Sequence, residues 1–177
     1  MDLNLTLNMI YELPSKVIDI SEKRSKEDNF VCMISESICN EYDIDDIKSK
    51  LTKMFSRFNG LKFYFNVPLS ESIKITASYE IREGNSQRST LSKEEQAVTR
   101  KIDSMIWASK FYDSVITLSK GLTRDEAIYL THALMAGKSH ESIAEKIGIS
   151  VRSIQPIKKS CLVKSWIALE TLYEEDR

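Results

Sequence analysis

Residues 122–164 read LTRDEAIYLTHALMAGKSHESIAEKIGISVRSIQPIKKSCLVK, and their punctuation predicts three helices at helix-turn-helix spacing. Thr123, followed three residues later by Glu126, forms a capping box ahead of Ala127, Leu130, Ala133 and Leu134, and Ala136-Gly137 stops that run. Ser139 caps a second helix whose apolar face, Ile143, Ala144 and Ile147, spans about two turns before Gly148 ends it. Helices this short do not persist in isolation. Ile149 falls in the turn, and Ser150 can accept a backbone N–H at the start of a third helix that carries Ile154, Ile157 and Cys161 inward. This spacing predicts a tight crossing, with the third helix standing clear of the domain.

On that third helix the side away from the core would show Arg152, Gln155, Pro156, Lys159 and Val163, flanked by Ser160. A major groove of about 12 Å admits such a helix. Arg152 and Gln155 suit bidentate contacts to guanine and adenine, while Lys159 suits phosphate. Lys138, Ser139 and His140 sit where a phosphate would meet the free N–H groups of the second helix. Ser150, Ser153 and Lys158 complete the expected DNA-binding set. Residues 122–164 hold Arg124, Lys138, Lys146, Arg152, Lys158, Lys159 and Lys164 against Asp125, Glu126, Glu141 and Glu145, in a chain whose net charge is −1. Non-specific affinity should therefore be weak and salt-sensitive.

The stretch GKSHESIAEKIGISVRSIQ resembles the LuxR/GerE-type helix-turn-helix, and more distantly that of region 4 of bacterial sigma factors. The likeness runs through Leu122-Thr123, Gly137, Ser139, Ile143-Ala144, residues 147–150 and Ser153-Ile154. It implies a sequence-specific transcription regulator, dimeric on double-stranded DNA, whose first domain senses a signal. RNA polymerase or another regulatory protein is a further candidate partner. Three features depart from the pattern. Between Leu122 and Gly137 the chain carries one residue more. Pro156 requires either that the helix start near Ser153 or that it kink. The acidic SWIALETLYEEDR, in place of a fourth helix, continues the third helix or forms a short extra one. The same module could instead bind protein within a transcription complex, in which case Val163, Trp166 and Leu169 would carry the contact.

An apolar share of 42% over 177 residues suits one or two small domains. No run is long enough to span a bilayer, and MDLNLTLNMIYELPSK lacks a signal-peptide pattern, so a cytoplasmic location is expected. Cys32, Cys39 and Cys161 read as free thiols. His132 and His140 have no ligand-spaced partners, and the five glycines form no phosphate loop. No enzymatic activity, cofactor or metal is expected.

In the first half, Leu3, Leu5, Leu7 and Met9 alternate with polar residues as in a strand that Pro14 ends. Residues 16–28 read as a short helix and loop, and Phe30, Val31, Ile34 and Ile38 as a second helix. Ile44, Ile47, Leu51, Met54, Phe55 and Phe58 give a helical stripe capped by Asp43 and closed by Asn59-Gly60. Asp45 and Asp46, with Asp43, belong to that helix start and not to a calcium loop. Leu61, Phe63, Phe65 and Val67, then Ile73, Ile75, Ala77, Tyr79 and Ile81, alternate as an antiparallel hairpin.

Residues 84–90 contain no apolar side chain and read as a linker. Ser92 and Glu95 cap a helix reaching Lys120, on the order of 40 Å long. Its stripe of Val98, Ile102, Met105, Tyr112 and Ile116 is expected to pair two subunits, or to pack within its own chain. The expectation is thus an α+β chain. Residues 1–83 form a control or dimerisation domain with a small antiparallel sheet, 84–90 a linker, 91–120 the long helix, and 121–177 an all-α helix-turn-helix domain.

Overall fold

A computed structural model describes residues 3–27, 32–66 and 93–175. Every regular element among them is helical, so the expected α+β organisation with its antiparallel sheet is corrected to all-α. Helix α1 (Leu3–Glu27) occupies the stretch expected to be a strand broken at Pro14. Thr6, Ile10, Leu13, Val17 and Ser21 are buried and recur every three or four residues, which puts one continuous face on the core. Two of these residues are polar and the face runs through Pro14. The alternation of Leu3, Leu5, Leu7 and Met9 is therefore the more visible pattern, although it does not decide the structure.

The second expected helix shrinks to one turn, α2 (Glu36–Cys39); Phe30 and Val31 lie outside the described residues. Helix α3 (Ile44–Asn66) starts where Asp43 Oδ1 accepts the backbone N–H groups of Asp45 and Asp46, at 3.1 Å each. It runs straight through Gly60, overturning the expected stop and the first hairpin strand. Leu61 and Phe65 continue the stripe of Leu51, Met54, Phe55 and Phe58 and are buried, whereas Phe63, expected beside them, is 70% exposed. One helical glycine costs about 1 kcal/mol, and burying each large apolar side chain returns about 1.5–3 kcal/mol, so the helix wins. The other hairpin strand, the linker and Ser92 lie outside the described residues.

Helix α4 (Lys93–Ser119) is the long helix that the spacing predicts. Phe111 at its centre packs against Phe55, Phe58 and Trp107, with ring centroids 5.1, 4.8 and 5.2 Å away. Helix α5 (Arg124–Tyr129) continues as a π-helical stretch (Leu130–Met135), followed by α6 (His140–Ile147) and α7 (Ile154–Glu175). Helix α7 is the axis of the fold, touching α2, α3, α4 and α5. One apolar core runs from Ile10 and Leu13 of α1, through Phe55 and Phe58, to Ile143, Ile154 and Leu169. The described parts of the expected control domain thus share their interior with the helix-turn-helix. Among the described residues, no helix is long and apolar enough to cross a membrane.

Candidate nucleic-acid interface

The local geometry of residues 122–156 follows from its caps. Thr123 N–H donates to Glu126 Oε2 at 2.7 Å, and Glu126 N–H donates to Thr123 Oγ1 at 3.3 Å. Farther along, Ala136 N–H donates to Thr131 O, five residues back, at 3.1 Å. Bonding of this π type takes an additional residue into a helix without breaking it. Gly137 and Gly148 both adopt positive φ, 63° and 83°, and turn the chain out of α5 and α6. Ser139 Oγ accepts Ser142 N–H at 3.4 Å. Ser150 Oγ accepts Ser153 N–H at 3.2 Å, and the two hydroxyls lie 2.7 Å apart. Because α7 begins at Ile154, Pro156 sits in its first turn, where its missing N–H has no intrahelical acceptor to lose.

Lys138 and Ser139 are exposed at the start of α6, and Ser150, Arg152, Ser153 and Gln155 at the α6–α7 turn and the entry of α7, while Lys158 is half-buried. The rest of α7 departs from the expectation of a helix standing clear. Val163 is fully buried, as are Ser160, Cys161, Leu162 and Ser165, and Trp166 is buried, so the middle of α7 is packed into the core, while its last turns expose Ile167, Ala168, Glu170 and Thr171. Lys159 is turned onto α2, donating to Glu36 Oε1 at 3.1 Å and Asn40 Oδ1 at 3.3 Å. His140 Nε2 lies 3.3 Å from the buried Tyr129 hydroxyl. Burial, then Lys158 and Lys48, holds the His140 imidazole below its ordinary pKa. Glu141 turns its carboxylate onto its own backbone N–H and the Ser139 hydroxyl, and these bonds hold it below the usual carboxylate range. The α6 N-terminus therefore already holds an acid beside Ser139 and His140.

The cations divide sharply. Lys164, 14% exposed, donates to Glu126 Oε2 at 2.7 Å, to Gly121 O at 2.9 Å and to Cys32 O at 2.7 Å. Ser160 donates to the other oxygen of the same fully buried carboxylate. Arg124 pairs with Glu22 at 3.2 Å, and Lys159 with Glu36. Of the seven cations in residues 122–164 this leaves Lys138, Lys146, Arg152 and Lys158 in no ion pair among the described residues, before, within and after α6. Lys48 of α3 acts on the same His140 from a segment far away in sequence, and no local pattern could have brought it here. Lys146 was recognisable as a cation of the module, but its place beside Lys138, where both depress the His132 imidazole after burial does, needs the fold.

Of the five α4 positions expected at a subunit seam, Met105 and Tyr112 are buried and Ile116 is half-buried against the chain's own core. Val98 and Ile102 are 43% and 50% exposed, and Ile106 extends their row at 47%. Compared with models of protein families, with curated proteins and with solved structures, the chain matches none.

Proposed function

We propose that this chain is a sequence-specific regulator of transcription that binds double-stranded DNA through the α6–α7 turn and the first turn of α7. The observation carrying this reading is the exposure of Arg152 and Gln155 at the entry of α7 in a capped helix-turn-helix, with Lys138, Lys146 and Lys158 of the module in no ion pair among the described residues. Helix-turn-helix proteins read base edges with the N-terminal residues of the second motif helix, so burial of the middle of α7 from Ser160 to Trp166 leaves the reading end intact. Arg152 and Gln155 serve as base readers, and Lys138, Lys146 and Lys158 as phosphate contacts. A protein-binding surface on Val163, Trp166 and Leu169 is disfavoured, because all three are buried. The protein acts as a dimer, joined along the exposed start of α4 through Val98, Ile102 and Ile106, and two such modules multiply a weak single-site affinity. Its activity is non-enzymatic.

Fluorescence anisotropy with duplex from upstream of the protein's own gene and a scrambled duplex tests this, across a salt series. The upstream duplex is expected to bind preferentially, and Arg152→Ala to remove the preference. Absence of binding to either duplex at low salt would overturn the reading.

A further inference from the structure

The π-helical stretch borders a cleft of about 460 Å³ that it shares with α1, α3 and α6. That volume lies within the range of small-molecule sites, about 300–1,000 Å³. Its apolar wall comes from Ile10, Pro14 and Ile18 of α1 and from Met135. Its charged side chains are of one sign: Lys62 of α3 and Lys146 of α6 line it with His132, and among the described residues no carboxylate does. His132 Nε2 is buried and has no hydrogen-bond partner among the described residues. A buried polar atom left unpaired is costly, and such atoms mark places where a ligand completes the bonding. In the tautomer with the proton on Nε2, that atom can donate to an anionic oxygen in the cleft after a turn of the ring brings it to the cleft surface. The cleft walls are braced, since Asn59 of α3 donates to Met135 O at 2.9 Å. The π-helical geometry of Leu130–Met135 shapes this wall, and π turns concentrate at functional positions.

We propose that the cleft between α1, α3 and the Leu130–Met135 stretch binds a small organic anion with an apolar body, such as a medium-chain carboxylate, its acid group held by His132, Lys62 and Lys146 and its chain lying along Ile10, Pro14 and Ile18. The site stands independently of DNA binding, but bears on it: Lys146 belongs to α6, and the Leu130–Met135 stretch leads directly into Gly137 and the cap of α6. An anion here draws on a cation that would otherwise face phosphate.

The full chain contains only two histidines, so an NMR spectrum of its imidazole Cε1–H groups reports His132 directly and His140 as an internal control. Titration with decanoate below its micelle concentration should shift the His132 signal saturably and leave His140 unmoved. Decanol, with the same chain and no charge, should bind about tenfold more weakly, the weight of a charge-assisted hydrogen bond. Lys62→Met, a substitution on a half-buried rim side chain, should weaken decanoate by a similar factor and leave decanol unchanged. No saturable His132 shift, equal affinity for decanoate and decanol, or parallel shifts of both histidines would each overturn the proposal.

Discussion

The Glu126–Lys164 pair offers the sharpest test of how the helix-turn-helix is held to the rest of the fold. Glu126 is fully buried and its carboxylate takes three partners: the Thr123 N–H, the Ser160 hydroxyl and the Lys164 ammonium. The Lys164 ammonium also closes two backbone carbonyls, Gly121 O and Cys32 O. Lys164→Met keeps much of the side chain's length and apolar body but leaves the carboxylate buried without its cation and both carbonyls without their donor. Breaking one side of a buried pair costs about 3–5 kcal/mol, which for a chain of this size lowers Tm by about 6–20 °C. Urea unfolding followed by circular dichroism gives the free energy directly. Glu126→Gln in the Lys164→Met background removes the stranded charge while keeping a capping acceptor, so the double variant should be more stable than Lys164→Met alone. A Lys164→Met loss below about 1 kcal/mol, the range of exposed pairs, would refute the argument that this pair is buried and structural.

Gly60 and Gly148 should respond to alanine with opposite signs, since neither has an atom within 4 Å of the added Cβ. Gly60→Ala should stabilise helix α3 by up to about 1 kcal/mol, and Gly148→Ala should cost about 1–2 kcal/mol for its positive φ, both by urea midpoint. For DNA, Arg152→Ala should cost about 1–3 kcal/mol on the preferred duplex only, whereas Lys138→Ala should weaken all duplexes alike. With the three phosphate contacts Lys138, Lys146 and Lys158 per chain, the slope of log K against log salt should be about −3 per chain, read from the same anisotropy series. Ile102→Glu should shift the sedimentation coefficient from dimer to monomer and remove the concentration dependence of Tm, whereas Met105→Ala should lower Tm at every concentration, because Met105 is buried within its own chain. His132 and His140 are both held below the ordinary imidazole pKa, first by burial and then by neighbouring lysines. A depressed folded-state pKa means that the unfolded chain takes up protons first, so stability should fall as pH drops from about 7 to 5. Replacing both histidines with glutamine should flatten that dependence.

Short-range chemistry determined the module at residues 122–156. Capping boxes, serine caps and glycines at positive φ act over three to five residues, so Thr123, Glu126, Ser139, Gly137 and Gly148 could be placed from their spacing alone. Long helical periodicity in α4, and the cap and stripe that start α3, were legible for the same reason. The first half was not, because a two-residue alternation in Leu3, Leu5, Leu7 and Met9, or in Leu61, Phe63 and Phe65, fits a strand locally. Only the distant surfaces they meet decide between periods. Burial of Thr6 and Ser21 on one side, and of Leu61 and Phe65 on the other, turned both stretches into helix.

Tertiary structure also decided which charges are available. Lys159 and Lys164 look like neighbours of Lys158 on one basic helix, yet Glu36, 123 positions from Lys159, and Glu126, 38 from Lys164, take them out of play. Lys62 and Lys146 come to one cleft with His132 only because α3 lies against the π-helical stretch. Caps and turns belong to the sequence because their partners are adjacent in the chain. Burial, ion pairing and the lining of a cleft depend on partners the chain brings together only by folding.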